Sequence, residues 1–245
     1  MLCDSQITRR IQRMGKDVII ACDFAGREET MSFLDRFTEE KPFVKIVMEL
    51  FYAEGPQIVR DIKARGHRIF LDLKLHDIPN TVKKAMAVLS RLDVDMCNLH
   101  AAGTKAMMEA AIEGLTRADG TRPLLIAVTQ LTSTDETRMK EELLINATLP
   151  ETVMHYAENA KSAGLDGIVC SPLEASIVHD RCGSGFITVT PGVRFADSVK
   201  DDQARITTPA KAKEIGSDYI VVGRPITQAE DPVAAYRRCV EEFCG

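Results

Sequence analysis

Short apolar runs rich in Val, Ile and Leu alternate with amphipathic stretches along the chain. The runs predict strands at 18–24, 43–50, 68–75, 95–100, 124–131, 167–171, 187–193 and 219–226. The stretches between them carry helix signals of their own. Pro79 stands at a first-turn position ahead of TVKKAMAVLSRL, in which Val82, Met86 and Leu89 recur at helical spacing. Asp231 followed by Pro232 reads as an N-cap and first-turn proline before VAAYRRCVEEF. Eight strands alternating with helices over 245 residues predict an α/β chain folded as a single-domain (β/α)8 TIM barrel. A doubly wound sheet is the alternative, and it commonly carries a Gly-rich turn after its first strand. Here that turn reads Asp23-Phe24-Ala25-Gly26-Arg27, without the fingerprint, so the pattern favours the barrel. Residues 1–17 read as a lead-in and 18–245 as the barrel domain.

Two predicted connections are long, from 132 to about 150 after the fifth strand and over 194–209 after the seventh. Loops beyond about 12–15 residues in a compact domain are usually lids or binding loops. Both follow strands, which places them at the C-terminal face, where barrel active sites sit.

Composition narrows the class. A hydrophobic fraction of 45% with 27% charged residues supports a buried core and excludes low-complexity disorder. No apolar run approaches the roughly 20 residues of a membrane span. The N-terminus lacks the apolar centre of a secretory signal, so a cytoplasmic protein is expected. Arg9, Arg10, Arg13 and Lys16 read either as a targeting arm or, more simply, as part of a frayed lead-in. A net charge of −5 argues against a nucleic-acid partner but leaves room for a small anionic substrate held by local cations. The seven cysteines form no C-x-x-C pair, so neither a zinc site nor a disulfide framework is expected. Most lie in apolar runs and read as small core residues.

The chemistry-bearing stretch is LDLKLHDIPNT, residues 71–81. Residues two apart in a strand share a face, so Asp72 and Lys74 point one way and Leu71, Leu73 and Leu75 the other. The leucines suit the helix-packed outside of a barrel, which puts Asp72 and Lys74 inside, near the C-terminal rim. Asp77 follows just past the strand end. Asp23 closes the first strand, Lys45 lies within the second, and Asn98 and His100 close the fourth. An unpaired ion removed from water costs several kcal/mol. Lys45, Asp72, Lys74 and Asp77 offset that cost only by alternating in sign beside one another. Such a network either fixes the barrel or performs chemistry. Apolar replacement of buried ion networks is often neutral or stabilising, which favours chemistry.

The chain has no H-E-x-x-H, no G-x-S-x-G elbow and no P-loop. A lysine beside carboxylates keeps its proton. It is then a poor Schiff-base nucleophile but a good proton donor to a developing carbanion. A phosphate handle is expected after strands seven and eight, a frequent site in barrels. The seventh strand ends TPGVR, with Pro191 and Arg194, and the eighth runs IVVGRPI, with Gly223 and Arg224. Glycine lets a backbone N–H approach an oxyanion and arginine grips it with a fork of donors. Gln203, in the long seventh connection, adds a side-chain amide. Arg194 taken alone reads equally as a solvated loop charge.

With D-x-K-x-x-D on strand three, VGR on strand eight, FVKIVMELF on strand two and AVTQLTS after strand five, the chain resembles the bacterial orotidine 5′-phosphate decarboxylases. The resemblance runs from about Val18 to the C-terminus. It implies cofactor-free and metal-free conversion of orotidine 5′-phosphate to UMP and CO₂, the last step of UMP synthesis, by a homodimer with sites at the subunit interface. By the same resemblance Lys74 is the proton-donating lysine, flanked by Asp72. Asp77, with Ile78 and Thr81, reaches into the partner's site. Asp23 and Lys45 hold the ribose hydroxyls and Thr132 faces the pyrimidine. Arg194, Gln203, Gly223 and Arg224 grip the phosphate, and Pro191 is a further substrate-binding residue. Two positions depart from the pattern: Val47 stands where glycine is expected, and Pro225 where serine is, which bears on phosphate affinity.

Two rivals are kept. Mg²⁺-dependent barrels acting on sugar phosphates, such as hexulose-phosphate synthases, resemble this chain in strand three. They place a carboxylate where strand two here has Lys45, and a lysine there repels a divalent cation. A non-catalytic nucleotide-binding barrel is the other. His76, on the opposite pleat from Lys74, reads as a packing or loop residue. His100 reads either as a neighbour of the site or as a hydrogen-bonded core residue.

Overall fold

The computed structural model of this chain describes residues 15–197 and 207–245. Eight parallel strands close into a barrel in chain order: β1 (Asp17–Cys22), β2 (Phe43–Val47), β3 (Ile69–Leu75), β4 (Met96–His100), β5 (Leu124–Val128), β6 (Gly167–Val169), β7 (Ile187–Thr190) and β8 (Tyr219–Val222). Pairing of β1 with β8, from Asp17 opposite Tyr219 onward, completes the ring. The predicted (β/α)8 barrel is the observed fold.

The helices on the outside are α1 (Arg27–Leu34), α2 (Met48–Glu54), α3 (Pro56–Ala64), α4 (Pro79–Leu89), α5 (Thr104–Leu115), α6 (Glu136–Glu141), α7 (Leu149–Ser162), α8 (Ala175–Cys182), α9 (Pro209–Ile215), α10 (Arg224–Thr227) and α11 (Pro232–Cys244). Pro79 opens α4, and the Asp231 carboxylate caps α11 by accepting from the Val233 and Ala234 N–H groups, both as the sequence predicts. Behind β3 and β4, α4 and α5 pack so closely that a Cβ at Gly114 would collide with the Lys83 carbonyl. The position needs glycine for that approach, not for its backbone angles.

Six predicted strands, the first, second, fifth, sixth, seventh and eighth, run past their observed ends, and for three of them the cause is plain. Residues 48–50 belong to α2, because MELFYAE is built of helix formers and a short apolar run cannot separate strand from helix. β7 stops before Pro191, which has no N–H for the ladder, and Gly192 then turns with φ 81°. After β8 the chain enters α10, with Pro225 in its first turn, where a missing N–H costs nothing. The connection after β5 is not a bare loop, since it contains α6 and the Thr148–Glu151 capping box of α7. Residues 198–206 of the seventh connection lie outside the described residues. Its ends meet at the Val193–Thr207 bridge, and Arg238 packs over the Phe195 ring and pairs with Asp197. Arg9, Arg10 and Arg13 also lie outside the described residues. Lys16 donates to the Lys213 carbonyl and sits over the Phe243 ring.

The period-two alternation of the strands sorts the apolar residues into two cores. One lies between barrel and helices and includes Leu71 and Leu73, with Leu75 packed against it. The other plugs the barrel, with Ile19, Ala21, Phe43, Phe70, Met96, Ile126 and Tyr219 among its members. Five cysteines (Cys22, Cys97, Cys170, Cys182 and Cys239) are free and buried, as core residues should be.

At the N-terminal rim, an aspartate one residue before each of β4, β6 and β8 reaches back to the strand before it. Asp95 accepts from Ile69 N–H at 2.9 Å, Asp166 from Leu125 N–H at 2.8 Å and Asp218 from Thr188 N–H at 2.8 Å. Each carboxylate also meets a base, Lys63, Arg122 or His179. Three strand pairs are thus pinned in stagger far from the mouth.

His67, just before β3, is buried, and its Nδ1 lies 3.0 Å from the Pro42 carbonyl, which accepts its proton. Its Nε2 is buried with no partner. Burial pushes this imidazole below its usual range, against the Pro42 hydrogen bond. The unfolded chain therefore binds the extra proton first. Stability is complete above the unfolded pKa of about 6.5 and declines as the pH falls below it. Urea unfolding at pH 7.5 and 5.5 should show that decline in the parent and a smaller one in His67→Gln. Equal declines would remove His67 as its source.

Candidate active site

The step of two residues that fills the barrel also builds its mouth. Moving up from the plug, Ala21 is followed by Asp23, Phe43 by Lys45, Phe70 by Asp72 and Met96 by Asn98. An apolar floor thus carries a polar layer on four consecutive strands. Lys45 Nζ lies 3.4 Å from Asp23 Oδ1 and 3.2 Å from Asp72 Oδ2, and Lys74 Nζ lies 2.7 Å from Asp72 Oδ1. The four charges alternate in sign along one chain of contacts. Lys45 and Asp72 are buried, Lys74 is half-buried and Asp23 is open to solvent.

Burial alone would raise the Asp72 pKa. The Lys45 and Lys74 ammonium groups, with hydrogen bonds from Lys74 and Asn98, outweigh it and hold the carboxyl below the usual carboxylate range. Asp72 is therefore a fixed negative charge at neutral pH.

Lys74 owes its position to a break in the ladder. β3 pairs with β4 at Leu71–Cys97 and next at Leu75–Leu99, so three residues of β3 face Asn98 alone. Within that bulge Lys74 has φ 51°, a left-handed conformation costing about 1–2 kcal/mol for a residue with a side chain. Asn98 is buried and bonds both sides of the bulge. Its Oδ1 accepts from Lys74 N–H at 2.8 Å and its Nδ2 donates to Asp72 Oδ1 at 2.7 Å.

A cavity of about 340 Å³ adjoins this layer, lined by Ala21, Asp23, Phe24, Glu29, Gly223, Arg224, Thr227 and Gln228. Asp23 thus belongs both to the charge chain and to the cavity that holds Gly223 and Arg224. Pro225 contributes no N–H there, which leaves Gly223, Arg224 and the guanidinium as the donors of that loop. Arg194 is buried after β7, with Nη1 donating to the Val193 carbonyl, and Pro191 is half-buried beside it. Val47 is extended at φ −95°, ψ 173°, a conformation any residue adopts, so nothing there calls for glycine.

The other expected site residues stand apart from the charge chain within this subunit. Asp77 is exposed past the end of β3, its Oδ1 accepting from Ile78 N–H. Ile78 is 67% exposed, and Thr81, in the first turn of α4, is exposed too. Thr132 lies exposed in the turn after β5. Gln203 lies outside the described residues. The double bonding of Asn98 and the cavity residues Glu29, Thr227 and Gln228 escape the sequence reading. Only the period-two recurrence of polar residues at the end of β4 signals Asn98.

His76 is exposed and its ring centre lies 5.8 Å from that of His100, so it packs at the mouth and not in the core. Burial, reinforced by His76 and Lys74, pushes His100 below the usual imidazole range against the pull of Asp72. His100 is therefore a neutral neighbour of the network. Among the described residues, no cluster of His, Cys, Asp and Glu is arranged to hold a metal ion.

The model of the "Orotidine 5′-phosphate decarboxylase / HUMPS family" matches residues 16–239. Over 235 residues the chain is 54% identical to orotidine 5′-phosphate decarboxylase of Geobacillus sp. (strain WCH70), covering 95% of this chain and 98% of that one. It is 55% identical to the enzyme of the same name from Bacillus mycoides (strain KBAB4), covering 95% and 99%. The crystal structure of orotidine 5′-phosphate decarboxylase from Lactobacillus acidophilus matches the fold with a TM-score of 0.85 at 40% identity, over 94% of this chain and 100% of that one. The chain belongs to the orotidine 5′-phosphate decarboxylase / HUMPS family.

Proposed function

We propose that Lys74 stabilises and then protonates the ring carbanion in the reaction of this enzyme, the decarboxylation of orotidine 5′-phosphate to UMP and CO₂ in pyrimidine biosynthesis. The observation that carries this reading is the alternating chain Asp23–Lys45–Asp72–Lys74 at the edge of the Gly223–Arg224 cavity. When the bond to the carboxylate breaks, its electron pair stays on an sp² ring carbon with little resonance relief. A fixed ammonium aimed at that carbon stabilises the charge without reorganising, and its proton then forms the new C–H bond. The neutral amine left behind regains a proton from water.

Asp72 holds the ammonium in place, and Lys45 and Asn98 hold Asp72. Asp23 and Lys45 are the groups proposed for the ribose hydroxyls. Arg194, Gln203, Gly223 and Arg224 are proposed around the phosphate, whose binding energy is expressed in the transition state, and Pro191 is proposed as a further substrate-binding residue. Thr132 is proposed to face the pyrimidine. Absorbance-monitored turnover of orotidine 5′-phosphate in excess EDTA tests the activity. Undiminished turnover is expected, and dependence on added Mg²⁺ would favour the sugar-phosphate branch of the family instead.

Asp77, Ile78 and Thr81 make sense at an exposed mouth if a second subunit covers them, so the active form is proposed to be a homodimer with shared sites. A Lys74→Ala subunit paired with an Asp77→Ala subunit would assemble one site carrying both changes and one intact site. Mixing the two inactive proteins should restore up to about a quarter of parental activity, the product of half the dimers being mixed and half their sites intact. No recovery under exchange conditions would place Asp77 in its own subunit's site. Among the described residues no helix is long and apolar enough to cross a membrane. The cytoplasm is the proposed location, with the residues ahead of β1 as a lead-in to the barrel domain.

A further inference from the structure

We propose that Asn98 is a positioning residue for this reaction, fixing the Lys74 backbone and the Asp72 carboxylate with the two ends of one side-chain amide. The inference rests on the role given to Lys74 above and adds what holds it there. Asn98 is 1% exposed and stands alone opposite the three-residue bulge of β3. Its orientation is set by its partners. Lys74 N–H is only a donor, so the amide oxygen faces it at 2.8 Å, and the NH₂ group is then left to meet Asp72 Oδ1 at 2.7 Å. Lys74 Nζ shares that carboxylate oxygen at 2.7 Å. A single residue therefore ties the left-handed main chain of Lys74 to the anion that anchors its ammonium.

Other residues fail this task for stated reasons. Alanine supplies neither bond. Leucine has a comparable size but no polar atoms. Aspartate keeps the acceptor for Lys74 N–H but sets a second carboxylate against Asp72. Two carboxylates sharing a site take up a proton more readily than either alone. Once protonated, an aspartate at 98 donates O–H to Asp72 while its other oxygen accepts from Lys74 N–H, which reproduces the amide. The charged and titratable groups around position 98 are Asp72 and Lys74 of β3, Lys45 of β2, Asp23 beyond it, and His100 and His76 at the mouth. β5 brings apolar Ile126 into register.

The test compares parent, Asn98→Ala and Asn98→Asp over pH 5.5–8.5, with UMP titration and circular dichroism reporting binding and folding. A displacement of about 1 Å can cost on the order of 10²-fold in rate. Asn98→Ala is accordingly expected to lose roughly 100-fold in kcat with KM and UMP affinity changed little. For Asn98→Asp, the ratio of its kcat to that of the parent should climb at least about tenfold toward acid pH, while the Asn98→Ala ratio stays flat; using ratios cancels pH effects common to parent and variant. Should Asn98→Ala fail to fold, the Asn98→Asp ratio decides. A flat Asn98→Asp ratio, or Asn98→Ala within about threefold of the parent, overturns the inference. An active Lys74→Ala enzyme would instead overturn the role given to Lys74, so the two failures are distinct.

Discussion

Replacing Lys74 with Ala is expected to lower kcat by roughly 10⁴-fold or more while UMP still binds. Proton delivery by a positioned group is worth about 10²–10⁴-fold. Electrostatic stabilisation of a developing charge adds about 10²–10³-fold. Lys74 is proposed to supply both, so their loss compounds. Binding survives because the cavity beside Arg224 and Gly223 is lined without Lys74. Single-turnover decarboxylation gives the rate and equilibrium titration with UMP gives the affinity. A rate within tenfold of the parent would show that the proton comes from elsewhere. Loss of UMP binding together with activity would mean that Lys74 holds the nucleotide, with no claim on the chemistry.

The second large effect is expected on the fold as well as the rate. Asp72→Ala removes the carboxylate between two ammonium groups, at 3.2 Å from Lys45 Nζ and 2.7 Å from Lys74 Nζ. Breaking a buried pair from one side typically costs about 3–5 kcal/mol. The lower end is expected here, about 3 kcal/mol, because Lys74 is half-buried and Lys45 keeps Asp23. That is a large share of the roughly 5–15 kcal/mol by which domains are stable. The pH dependence has a definite sign. The folded-state pKa of Asp72 lies below its unfolded value, so its contribution is complete above about pH 4 and is lost as the pH falls through the folded value. Urea unfolding of parent and variant should therefore give a constant gap from pH 5 to 8, closing only in stronger acid. A gap that opens within pH 5–8 would assign it to another group. Asp72→Asn, which keeps the shape and one acceptor for Asn98, separates the charge from the packing.

Much of this molecule is legible in its sequence because period-two alternation reports which way a strand residue faces. Asp72 and Lys74 turn inward and Leu71 and Leu73 outward as the alternation requires. The ends of β2 and β8 are misread because MELFYAE and RPIT continue an apolar run while changing its geometry. The left-handed backbone at Lys74 is not legible at all. It carries no glycine or asparagine to announce it and is imposed from β4 by Asn98. Nor does the alternation, which sorts strand residues alone, say that Ile78 past the end of β3 stands 67% exposed. The proposed phosphate handle is legible as residue types, Gly223 and Arg224, but its junction with Asp23 in one cavity comes only from closure of β8 against β1.

The ring of Asp95, Asp166 and Asp218 divides labour between the two ends of the barrel. Three of the eight strand pairs are registered at the far end, so the catalytic end need not supply that registration. A variant in which Lys45, Asp72 and Lys74 all become apolar residues of matching volume should then lose less stability than Asp72→Ala alone, though it decarboxylates nothing. Such a scaffold can lose one chemistry and acquire another without passing through an unfolded ancestor, provided those three aspartates remain.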